Sequence, residues 1–100
     1  VKVGKLDHVA INVENIETSV GWYISNLEAE VDYQDDTWAM LSVGDSKLAL
    51  TVADQHPPHV AFAVDNFTMH ENFKVHRDGS KYIYKVDPDG NTIELICWEA

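Results

Sequence analysis

The sequence predicts an α+β fold: two βαβββ modules forming a cupped mixed sheet, the helix of the second module shortened or missing. Three observations predict it. First, His8-Val9-Ala10-Ile11-Asn12-Val13 and His59-Val60-Ala61-Phe62-Ala63-Val64 share His, Val, Ala and Val in register, and self-similarity at a long period marks a duplicated unit. Second, a helix pattern and three strand-like runs follow the first copy. Third, Asp87-Pro88-Asp89-Gly90-Asn91 is a strong turn ahead of a closing apolar strand.

In the first module Asn15 is positioned as a helix N-cap, with Ile16, Val20, Tyr23, Ile24 and Leu27 after it as one apolar stripe. Strands are expected over 30–34, 38–43 and 47–52, the last two joined at Gly44-Asp45. His56-Pro57-Pro58 interrupts the chain, because proline cannot donate into a ladder. The second module then carries strands near 73–76, 81–86 and 92–98, and residues 66–72 leave room for two helical turns at most. The expected organisation is a single domain over 1–100, with module 1 at 3–53, a linker at 54–57 and module 2 at 58–99.

The whole chain bounds its partners. Its 100 residues suit one core, and 45% apolar content argues against disorder. Seventeen acidic against seven basic residues give a formal charge of −10, which disfavours nucleic acid and anionic membrane. The lone Cys97 excludes an intrachain disulfide and suits a reducing compartment, so a cytoplasmic location is expected. No apolar run approaches the ~18 residues of a span, and no signal peptide is expected.

Strand alternation sets the candidate chemistry. Leu6, His8, Ala10 and Asn12 share one face, and Val9, Ile11 and Val13 face the helix. His59, Ala61 and Ala63 repeat that arrangement, so both imidazoles stand among small side chains. In the last strand Glu94 is a carboxylate within Thr-Ile-Glu-Leu-Ile, and burying it unpaired costs several kcal/mol. Two histidines and one carboxylate suit a divalent ion such as Fe, Mn, Zn or Ni. His56, His70 and His76 are weighed as alternative ligands, and surface roles are favoured for all three. Cys97 alternates away from Glu94, lacks a basic neighbour in sequence and reads as a buried, inert thiol. Trp38 and Trp98 are expected to line the cup or a subunit contact.

Leu6-Asp7-His8-Val9-Ala10-Ile11-Asn12-Val13, the helix pattern from Asn15 to Tyr23, and the closing Asp87-Pro88-Asp89-Gly90-Asn91-Thr92-Ile93-Glu94-Leu95 together resemble the vicinal-oxygen-chelate superfamily of glyoxalases, bleomycin-resistance proteins and extradiol dioxygenases. The resemblance implies paired βαβββ modules with metal ligands on the first and last strand of each. It carries those roles onto His8, His59 and Glu94. The fourth position aligns with Ala49, where glyoxalase I and methylmalonyl-CoA epimerase imply a carboxylate that also moves protons. The remaining His/His/Glu set is similar to that of fosfomycin-modifying transferases and extradiol dioxygenases. Tyr84 matches a substrate-facing tyrosine of the former and is the candidate catalytic residue; its other reading is a cross-strand aromatic. Ala10 departs from the transferase pattern, which has a threonine there. Lys74, Arg77, Lys81 and Lys85 form no evident anion cluster.

Two functional readings follow. One is a divalent-metal enzyme acting on a small oxygenated substrate. The other is a metal-free protein that sequesters a small molecule, as bleomycin-resistance proteins do. A vestigial structural partner is a third. The resemblance also implies a homodimer.

Overall fold

The helix begins where Asn15 caps it. In the computed structural model, which describes residues 3–65, 67, 72–76 and 79–98, the Asn15 side chain accepts a hydrogen bond from the Thr18 amide at 2.8 Å. That satisfies one of the amides a helix start leaves without an intrahelical partner. Helix α1 (Ile16–Leu27) ends at Glu28, whose positive φ of 54° turns the chain out of the helix. Eight strands complete the elements seen among the described residues: β1 (Val3–Asn12), β2 (Glu30–Gln34), β3 (Trp38–Val43), β4 (Ser46–Thr51), β5 (His59–Val64), β6 (Lys74–Val75), β7 (Lys81–Val86) and β8 (Thr92–Cys97).

Two compact units divide these elements: His8–Pro58, and Val1–Asp7 with His59–Ala100. In the first, the strand order is β2-β3-β4-β1. β1 pairs parallel with β4, and β3 pairs antiparallel with both β2 and β4. Gly44 turns β3 into β4 at a positive φ of 58°, a conformation that favours glycine. Ile16 and Val20 of α1 pack with Ala29, Ala39, Leu41 and Leu50, and Ile11, Val13 and Tyr23 join them. Of Val9, Ile11 and Val13, the residues expected to meet the helix, Ile11 and Val13 therefore do so, and Val9 is not among the residues packed there. Burying a leucine as fully as Leu41 and Leu50 contributes about 1.5–3 kcal/mol.

The predicted apolar stripe of α1 is only partly buried. Ile24 and Leu27 are exposed. At ~100° per residue Ile24 lies about 80° round from Ile16, on the helix flank, and Leu27 falls in the last turn.

The second unit has the order β5-β8-β7-β6. β5 pairs parallel with β8, and β7 pairs antiparallel with β8 and β6. Val3–Asp7 of β1 belong to this unit. Gly4 lies so close to β5 that a Cβ there would come 3.2 Å from the Ala63 carbonyl oxygen. Val64, Phe67, Leu95 and Cys97 form its core, with Phe62, Phe73 and Ile83 against them.

The two units repeat one strand pattern, and the elements match the expected α+β class. The predicted strands hold with shifted limits: β6 shortens to two residues and β8 ends at Cys97. The expected shortening of the second helix falls largely on positions 66 and 68–71, outside the described residues.

Candidate metal centre

Glu94 is a carboxylate only 2% exposed in the middle of β8. Alternation dictates its direction: Leu95 and Cys97 enter the apolar core, so Glu94 faces the other side of the strand. Its neighbours there are set by register. Ala61 of β5 and Tyr84 of β7 are its direct cross-strand partners. His59, two residues before Ala61, shares that face and is 8% exposed.

The His59 imidazole Nε2 lies 3.4 Å from Glu94 Oε1. The Tyr84 ring meets the His59 ring edge-on, with centroids 5.4 Å apart. Burial raises the Tyr84 phenol above its ordinary value, and the charge of Glu94 and the neighbouring Tyr82 push it the same way. Tyr84 is therefore a neutral hydroxyl at physiological pH, able to donate a hydrogen bond. The structure thus brings His59, Glu94 and Tyr84 together within one unit. His8, on β1, is also buried, at 7% exposure.

Two donors each held at ~2.1 Å from a common ion stand about 3.0–3.4 Å apart. The His59–Glu94 separation lies at the top of that range, and a neutral imidazole with a carboxylate is a donor set that suits first-row divalent ions. The residues present fit a metal.

His76 corrects the sequence reading, which placed it at the surface. Its Nε2 lies 3.0 Å from Glu94 Oε2, and its ring stacks on Tyr82 at 3.6 Å between centroids and 10° between planes. The β6–β7 hairpin positions it. The His76 amide donates to the Ser80 carbonyl at 2.8 Å, and the His76 carbonyl accepts from the Gly79 amide at 2.9 Å. No motif surrounds His76, but the short turn at Gly79 was a usable signal. Pairing Val75 with Lys81 sets His76 opposite Ser80, on the face that Tyr82 and Tyr84 share.

The other candidates lie elsewhere. His56 is exposed, and its carbonyl accepts from Asn12 Nδ2 at 3.0 Å. His70 and Arg77 are outside the described residues. Lys81 lies over the Phe73 ring, 5.2 Å from its centroid, and Lys74 and Lys85 are exposed. Cys97 is fully buried and its thiol donates to the Asp65 carbonyl at 3.2 Å. Trp38 stacks on Tyr33 at 4.6 Å, and the exposed Trp98 donates through Nε1 to Asp7 at 2.8 Å.

A family model described as the glyoxalase/bleomycin resistance protein/dioxygenase superfamily matches residues 5–77. The chain belongs to that superfamily. Solved structures agree on the fold. A single-residue variant of Streptomyces coelicolor methylmalonyl-CoA epimerase, in complex with 2-nitronate-propionyl-CoA, is similar at a TM-score of 0.79 and 18% identity, covering 99% of this chain and 100% of that one. Methylmalonyl-CoA epimerase from Mycobacterium tuberculosis gives 0.75 and 19%, covering 98% and 90%. A superfamily member from Vibrio splendidus 12B01 gives 0.69 and 14%, covering 90% and 95%. At such identities the likeness carries the fold alone. No curated protein sequence is similar enough to count as a relative.

Register also locates the fourth position expected of the superfamily. Ala10, two residues after His8, pairs with Ala49, just as Ala61, two residues after His59, pairs with Glu94. A methyl group stands in the first repeat where the second has a carboxylate.

Proposed function

We propose that this chain is a divalent-metal-dependent enzyme acting on a small oxygenated substrate, with His8, His59 and Glu94 as ligands and Tyr84 as a catalytic hydroxyl. The observation that carries the reading is the buried His59–Glu94 pair, whose nitrogen and oxygen stand 3.4 Å apart. His8 joins the set because it opens the same motif in the first repeat, is buried, and offers a ring nitrogen as a ligand atom. A bound Fe, Mn, Zn or Ni ion would supply Lewis acidity to charge developing on a substrate oxygen.

The chain's own groups supply the rest. Tyr84, held neutral beside Glu94, donates a hydrogen bond to a substrate oxygen and orients it. Ala49 offers neither a ligand atom nor a base, so proton abstraction by a second carboxylate at that position is not part of the proposed mechanism.

Metal titration tests the reading. Wild type should bind one Mn(II) or Fe(II) per chain, and His59→Ala should abolish saturable binding. A wild type with no stoichiometric site, or a site unchanged in His59→Ala, overturns it.

The second reading, a metal-free protein sequestering a cationic small molecule, draws on the formal charge of −10. Stabilisation in thermal-shift screens by cationic aromatic compounds, and not by metals, selects this reading. Under either reading the proposed assembly is a cytoplasmic homodimer. Sedimentation at micromolar concentration should show twice the 11.3 kDa chain mass, and a species of single-chain mass refutes the dimer.

A further inference from the structure

Glu94 has two oxygens, and they face different imidazoles. Oε1 is 3.4 Å from His59 Nε2, and Oε2 is 3.0 Å from His76 Nε2. An ionised carboxylate only accepts hydrogen bonds, so the His76 tautomer that carries its proton on Nε2 is the one that holds Oε2. The contact directs one oxygen away from His59 and leaves the other beside it.

His76 is itself fixed on three sides. Its amide and carbonyl close the hairpin onto Ser80 and Gly79. Its ring lies flat on Tyr82. Tyr82 in turn meets Tyr84 edge-on with centroids 5.3 Å apart, and Tyr84 meets His59. His76, Tyr82, Tyr84 and His59 thus form a connected run of rings that ends on both oxygens of Glu94. A histidine serving only to satisfy a surface carboxylate has no need of such support, and Glu94 is only 2% exposed while His76 retains 27%.

We infer that His76 is a positioning residue for the metal centre: it holds Glu94 Oε2 by a hydrogen bond so that Oε1 alone is presented as the ligand atom beside His59. This rests on the metal reading above and deepens it. Groups that orient a ligand in this way typically tune metal affinity by ~10–100-fold, because without them the carboxylate samples rotamers that do not bind.

Two variants separate the hydrogen bond from the ring. His76→Phe keeps a flat ring over Tyr82 and removes the donor. His76→Gln removes the ring and keeps an N–H donor near the Nε2 position. Mn(II) affinity by isothermal titration and the visible spectrum of the Co(II)-loaded protein are the readouts, with thermal melts monitoring the fold. Expected are a ~10–100-fold weaker Mn(II) affinity and an altered Co(II) spectrum in His76→Phe, with His76→Gln within roughly threefold of wild type.

Mn(II) binding in His76→Phe as tight as in wild type overturns the inference and leaves the metal reading intact. Equal weakening in both variants also overturns it, since the ring and not the donor then matters. A wild type that binds no metal refutes the metal reading first, and the role of His76 falls with it.

Discussion

Ala49 and Glu94 occupy the same place in two copies of one strand pattern. Ala49 has Ala10 as its parallel partner and Met40 as its antiparallel partner; Glu94 has Ala61 and Tyr84. The duplication therefore reaches individual residues, and the copies differ at positions of the proposed site: alanine against carboxylate, methionine against tyrosine. At this position the second unit sets a carboxylate beside a phenol, and the first sets an alanine beside a methionine.

Tyr84 is expected to act in turnover and not in holding the ion. Tyr84→Phe should leave Mn(II) affinity within roughly threefold of wild type, because no ligand atom is removed, and stability within about 0.5 kcal/mol. Turnover of an identified substrate should fall ~10²-fold or more as the hydroxyl is lost. A parallel loss of metal affinity would make Tyr84 a support of the site.

Acid stability should depend on Asp35. Its carboxylate accepts from the Tyr33 hydroxyl at 2.6 Å, the Thr37 amide at 2.8 Å, the Trp38 amide at 2.9 Å and the Thr37 hydroxyl at 2.9 Å. The Tyr33 bond foremost, then the Thr37 amide, hold its pKa well below the usual carboxylate range. Since the folded value is depressed, this contribution is complete above the unfolded pKa of about 3.9 and is lost as pH falls through the folded one. The urea midpoint of wild type should therefore drop more between pH 5 and pH 2 than that of Asp35→Asn, which keeps an acceptor oxygen without the charge. Equal drops would assign the acid sensitivity to other carboxylates.

Removing the helix cap should have a modest, local cost. Asn15→Ala leaves the Thr18 amide without its side-chain acceptor and should destabilise the protein by about 1 kcal/mol in urea unfolding. Asn15→Asp, which restores an acceptor, should recover most of that. No loss in the alanine variant would show that water satisfies the Thr18 amide equally well.

Truncating the core under the helix should cost more. Leu41 is fully buried among Ile16, Val20 and Leu50, so Leu41→Ala combines lost transfer energy with a cavity and should destabilise by ~2–5 kcal/mol. Leu27→Ala, at an exposed position on the same helix stripe, should change stability by less than about 1 kcal/mol; equal effects would mean that the helix buries a different face.

By itself the sequence determined what local pattern encodes. Alternation separated Glu94 from Leu95 and Cys97, and His59 from Val60 and Phe62. Asn15 marked the helix start, and the matching His-Val-Ala copies disclosed the duplication. Each of these signals lies within a few residues of the position it describes, because side-chain direction follows the period of the backbone. Tertiary structure decided what depends on pairing and docking. His76 meets Glu94 because a hairpin closes at Gly79 and two strand registers then align residues 18 positions apart, a coincidence no single segment advertises. Ile24 and Leu27 carry the apolar pattern yet stay exposed, since burial depends on what lies beneath a helix as well as on the helix's own periodicity.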